Sequence, residues 1–129
     1  MRIGRWAPVV GWMALIFFLS AQSQIPTPQQ RWLDLFLEKA GHTLEFAILA
    51  TLLTRALAPG RNARGRAFLL AVVFCWLYAL SDEFHQSFVP GRTADWSDVL
   101  FDWGGAIGGA WLWIRRRAVG DQAAPSHQV

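Results

Sequence analysis

The residues able to do chemistry fall into three short runs. The first holds Lys39, His42 and Glu45, spaced i, i+3, i+6 along roughly one helix face. The second holds Asp82, Glu83, His85 and Gln86, with Asp82 and Gln86 at i, i+4 and Glu83 and Gln86 at i, i+3. The third places Arg92 after a Pro90-Gly91 turn, then Asp95, Asp98 and Asp102 at i, i+3, i+7, a single stripe. These groups can neutralise one another and tie helix ends together. They can also bind the polar or cationic part of a ligand, and the excess of acid over base favours that use. A third use is acid–base chemistry, with His42 or Glu83 as general base and Arg92 orienting a phosphate or carboxylate. His42 and His85 beside carboxylates could hold a divalent metal. Neither HExxH nor CxxC is present, so no metal and no other cofactor is assigned. No Ser or Cys motif marks a nucleophile, and the reading leans away from an enzyme.

The elements that must position these runs are apolar. Residues 6 to 30, 67 to 81 and 103 to 114 carry no charge, although the chain is 16% charged and 53% hydrophobic. Four apolar stretches stand out: Trp6–Ala21, Ala40–Leu57, Ala67–Leu80 and Val99–Ile114. Each is shorter than the roughly 20 residues that comfortably span a bilayer. Each spans only if the helix continues through the polar runs at one end. The expected fold is all-α, a polytopic membrane protein of four short transmembrane helices. Residues 1–117 form the single transmembrane domain, and 118–129 a disordered cytoplasmic tail. Thr27-Pro28-Gln29-Gln30 reads as a helix start. It opens a short interfacial helix over Trp32–Glu38, before the second span. The first stretch has a rival reading. Arg2 and Arg5, the apolar run and Ala21-Gln22-Ser23 also resemble a cleaved signal peptide. The bulky Trp6, Trp12, Phe17 and Phe18 suit a retained helix.

Charge sets the orientation. Nine of the twelve Lys and Arg sit at the N-terminus, at residues 55–66 and at 115–117. In a four-helix weave these share one side, which the positive-inside rule makes cytoplasmic. Both termini are then cytoplasmic, and the protein is a multi-pass protein of the bacterial cytoplasmic membrane. Eight of the nine acidic residues fall on the other side: Asp34, Glu38, Glu45, Asp82, Glu83, Asp95, Asp98 and Asp102. The three chemical runs thus converge in one layer of the outer leaflet. An ionised carboxylate at the bilayer centre costs about 3 kcal/mol by insertion scales. Asp102, deepest of these, is therefore expected to face the bundle interior or to be protonated. The eight Trp suit the membrane–water boundary. The pI near 10 is no nucleic-acid signal, because the basic residues fall where topology puts them. Cys75 lies in an apolar run and reads as a packed thiol. Gly104/Gly108 and Gly105/Gly109 are two overlapping GxxxG pairs. They serve close packing within the chain or, less simply, a homo-oligomer.

The run Lys39-Ala-Gly-His42-Thr-Leu-Glu45-Phe46, followed by Ser81-Asp82-Glu83-Phe-His-Gln86-Ser-Phe88-Val-Pro90-Gly91-Arg92-Thr-Ala-Asp95-Trp-Ser-Asp98, resembles the VanZ-like family of bacterial membrane proteins. The resemblance covers about residues 39–110. It implies that Lys39, His42, Asp82, Glu83, Gln86, Arg92, Asp95 and Asp98 are the characteristic polar residues, here ligand-binding candidates. It also implies a cell-envelope role that lowers susceptibility to glycopeptides such as teicoplanin. The partners implied are membrane lipid and a lipoglycopeptide or cell-wall lipid precursor, and no nucleic acid. The alternative is a small membrane hydrolase or transferase acting on a lipid-linked substrate. Asp102 departs from the family pattern, where Asn more often precedes the Gly-rich stretch.

Overall fold

The computed structural model describes residues 3–23 and 31–123. Among these residues the fold is all-α, with four helices and no strand. They are α1 (Ile3–Ser20), α2 (Arg31–Leu57), α3 (Arg64–Gln86) and α4 (Ser97–Ala123), with a 3-10 turn at Arg61–Ala63 between α2 and α3. Two segments are long and apolar enough to cross a membrane: Ile3–Ser20, with mean hydropathy 1.5, and Arg61–Gln86, with mean hydropathy 1.7. Helices α2 and α4 have 27 residues each. At 1.5 Å per residue each is about 40 Å long. Their charged runs lower their hydropathy.

Helix α2 packs against each of the other three helices. Its closest neighbour is α4, and the reason is two glycines. A Cβ on Gly105 would collide with the Thr43 carbonyl, and one on Gly109 with the Ala47 carbonyl. The backbones therefore meet with no side chain between them, as small residues four apart allow. Gly104 and Gly108 have open space around their Cα atoms. The intramolecular half of the glycine pattern is thus Gly105/Gly109.

The interior is unusual in what it contains. Small apolar residues such as Ala50, Ala71, Ala79, Ala106 and Ala110 are fully buried, and Cys75 with them. Polar residues are buried too: Ser20, His42, Thr54, Asp82, Glu83, Gln86, Asp98 and Asp102. Many large apolar side chains point outward, among them Phe17, Leu69, Trp76, Leu77, Leu100 and Trp111, while Ile16, Phe46 and Leu49 are fully buried. That inversion suits lipid surroundings, where association rests on close packing and interhelical hydrogen bonds.

Two expectations differ from the structure. The separate interfacial helix over Trp32–Glu38 does not form, because Arg31–Leu57 is one unbroken helix. No proline interrupts it, so the hydrogen-bond ladder runs on through Lys39–Gly41. The tail is not disordered from Ala118, since α4 continues helical to Ala123. Asp121 anchors that last turn, receiving Arg64 Nη2 at 2.6 Å and lying 3.4 Å from Arg61 Nε. The helix start at Thr27–Gln30 lies outside the described residues.

Candidate functional site

The end of α3 and the start of α4 are joined by a tight turn. Arg92 N–H donates to the Val89 carbonyl at 3.2 Å across Pro90-Gly91. Gly91 has φ 81°, and it alone among the described residues has a positive φ. Proline before a left-handed glycine is the type II turn pattern. The turn brings Arg92 back over the helix ends. Glu83 then accepts the Asp95 N–H, which ties the following loop to α3. Asp95 in turn accepts the Ser97 N–H at 2.9 Å and so caps α4.

The side chains of the three runs meet in one layer. Lys39 on α2 donates to Asp95 Oδ2 at 2.8 Å, to Ser97 Oγ at 3.0 Å and to Asp98 Oδ1. One ammonium therefore clips α2 to the first turn of α4. Its contact, with the Ser97 N–H, holds the Asp95 carboxyl down at about 2. His42, one turn further along α2, pairs through Nδ1 with Asp102 Oδ1 at 3.1 Å. On α3, Asp82 accepts the Ser20 hydroxyl at 2.8 Å and the Gln86 amide at 3.0 Å. Arg92 Nη1 donates to the Ser20 carbonyl at 3.3 Å. The contacts form three groups: Lys39 with Asp95 and Asp98, tied to α3 through Glu83; His42 with Asp102; and Asp82 with Gln86 and Arg92 around Ser20. His85 is set apart, stacked on Phe17 with ring centroids 4.3 Å apart.

Ser20 and Glu38 are not candidates on sequence alone. Ser20 is the last residue of α1 and is 3% exposed. It joins α1 to Asp82, Gln86 and Arg92. Two further bonds hold α1 in place: Trp12 Nε1 to the Glu45 carbonyl at 2.9 Å, and Tyr78 Oη to the Met13 carbonyl at 2.8 Å. A single serine at the end of an apolar run gives no periodic signal. The sequence reading puts Glu38 in a separate helix; on a continuous α2 it stands one turn before His42.

A cavity of about 120 Å³ opens beside this layer, lined by Leu19, Ser20, Glu38, His42, Glu45 and Arg92. An apolar groove of about 610 Å³ runs between α2 and α4, lined among others by Phe36, Leu44, Ala47 and Phe101, with Lys39 at its polar end. The charge balance of the layer is uneven. Asp82, Glu83, Asp98 and Asp102 are at most 4% exposed. Lys39 serves Asp98, and His42 faces Asp102. Arg92 ion-pairs with no carboxylate among the described residues, and its Nε is buried without a partner. Isolated buried charge is costly, and here the buried acids outnumber the bases that face them.

The sequence profile of the VanZ/LLP1 family matches residues 6–117. The match takes in most of α1 and of α4, well beyond the 39–110 region that carries the polar runs. Comparison with curated proteins and with solved structures found no match. Two apolar helices and a family profile over most of its length point to a membrane protein, and the chain belongs to the VanZ/LLP1 family.

Proposed function

We propose that this protein lowers susceptibility to lipid-tailed glycopeptides such as teicoplanin, by holding a polar site at the outer face of the bacterial cytoplasmic membrane. All four helices cross, with both ends of the chain on the cytoplasmic side. The charge segregation supports that orientation. Arg55, Arg61, Arg64, Arg66 and Arg115–Arg117 gather where α2 ends, α3 begins and α4 ends, opposite the acidic layer. The observation that carries the site is its amphiphilic shape. A polar cavity lined by Glu38, Glu45, His42 and Arg92, and an apolar groove lined by Phe36, Leu44, Ala47 and Phe101, are both built on α2. A cationic or hydroxyl-rich head fits the first and an acyl chain the second, so lipid, lipoglycopeptide or a cell-wall lipid precursor is the ligand class. Deleting the gene and overexpressing it, with teicoplanin and vancomycin susceptibility measured in parallel, tests the reading. Teicoplanin susceptibility should rise on deletion and fall on overexpression, with vancomycin little changed. Unchanged values for both drugs in both strains would remove the resistance role.

A second reading rests on the His42–Asp102 pair. A buried carboxylate orienting an imidazole at a cavity wall is also the arrangement of a general base. On that reading the protein acts on a lipid-linked substrate, with Arg92 holding a phosphate. Purified protein incubated with labelled lipid-linked wall precursors decides it. Absence of turnover across pH would exclude the enzyme.

A further inference from the structure

We propose that Glu38, His42 and Asp98 form a binding site for one divalent transition-metal ion, with Asp102 orienting His42. This departs from the sequence reading, which assigns no metal, and it does not depend on the susceptibility role. One ligand atom from each of the three residues lies within 4.8 Å of the others. They come from two helices, Glu38 and His42 one turn apart on α2 and Asp98 in the first turn of α4. The clip between Lys39 and α4 fixes that spacing while engaging Asp98 Oδ1. The second carboxylate oxygen remains for an ion.

His42 supplies the independent observation. It is 6% exposed, and its Nδ1 faces Asp102, itself 1% exposed. Nδ1–H donating to that carboxylate leaves the lone pair on Nε2, which makes no hydrogen bond among the described residues. His42 also lines the cavity, together with Glu38. A carboxylate behind a ligating imidazole is the usual outer partner of a metal-binding histidine. An ion here would also balance the buried negative charge that Lys39 alone does not offset. One imidazole and two carboxylates suit Zn²⁺ or Mn²⁺; Ca²⁺, which prefers an all-oxygen shell, fits less well. Three protein ligands leave coordination positions open, and two of them, Glu38 and His42, line the cavity.

Isothermal titration of the full chain in detergent, free of any affinity tag, with Zn²⁺, Mn²⁺ and Ca²⁺ tests the site. The expected result is one saturable equivalent of Zn²⁺ or Mn²⁺ per chain and weaker Ca²⁺ binding. Glu38→Gln and His42→Ala should each lower affinity at least tenfold, and Asp102→Asn should lower it roughly 10–100-fold as an orienting partner does. Glu38 is half-exposed, so Glu38→Gln reports on the site without threatening the fold. No saturable Zn²⁺ or Mn²⁺ binding, Ca²⁺ binding as tight as Zn²⁺, or unchanged affinity in Glu38→Gln would each overturn the proposal.

Discussion

Lys39 and its carboxylates show how one side chain can organise a layer. The ammonium bridges Asp95 and Asp98, but the two acids differ in exposure. Asp98 is buried, whereas the Asp95 side chain is 53% exposed. Asp95 therefore keeps its charge to low pH, with its carboxyl at about 2 against an ordinary 3.8. A depressed carboxyl contributes stability that is full above its ordinary value and is lost as pH falls through its folded value. The Asp95 contribution should fade between about pH 4 and pH 2. Thermal melts in detergent across that window should show a loss that Asp95→Asn reduces. An equal loss in the variant would assign the effect to other acids. Asp102 permits a sharper comparison. Removing an acceptor from a buried donor costs about 1–3 kcal/mol. Asp102→Ala strands His42 Nδ1 and should lose that much in chemical unfolding. Asp102→Asn keeps an acceptor, and should lose less.

At the scale of helices, the decisive contact is the glycine seam between α2 and α4. Gly105→Ala and Gly109→Ala each place a Cβ against rigid backbone, so both should lower the melting temperature. Gly104→Ala and Gly108→Ala meet open space. Alanine there gains about 0.5–1 kcal/mol of helix propensity over glycine, so stability should hold or rise. A change of oligomeric state in these two variants alone would identify an interface between copies of the chain. The sequence displays all four glycines as equivalent, because a GxxxG spacing marks a close-packing face without saying what approaches it. The same limit runs through the rest of the fold. Charge-free runs and stripes of period i, i+3, i+7 make the four helices and the polar layer legible. Ser20 is not legible, because its role comes from Asp82 and Gln86, more than sixty residues away. Ala118–Ala123 lacks an apolar stripe and is held by Asp121 reaching Arg64 across 57 residues. The boundary between Trp32–Glu38 and the second span is likewise invisible, since polarity changes there while the backbone does not.

For the whole molecule, α1 decides between a three-helix and a four-helix protein. A signal peptidase cut near Ala21-Gln22-Ser23 would free the helix that carries Ser20. It would leave Asp82 without its hydroxyl donor and Arg92 without its carbonyl acceptor. Trp12 and Tyr78 would also lose bonds that pin α1 to α2 and α3. A leader destined for removal has no need of such contacts. Intact-mass measurement of the membrane-purified protein should therefore return a chain that retains α1. The proposed topology has its own test. With all four helices crossing, the Pro90–Trp96 turn faces outward and the Pro59–Arg64 turn inward. Single cysteines at Thr93 and Asn62, both exposed, report on each side. Cys75 is buried and is replaced by alanine to clear the background. A membrane-impermeant thiol reagent on intact cells, or on spheroplasts if an outer membrane blocks access, should label Thr93→Cys at once. Asn62→Cys should label only after the membrane is opened. The reverse pattern would invert the orientation and move the acidic layer inside. Equal labelling of both sites in sealed membranes would mean that the bundle does not cross. An outer-face site for a lipid-tailed glycopeptide needs the first result, because the drug reaches the membrane from outside.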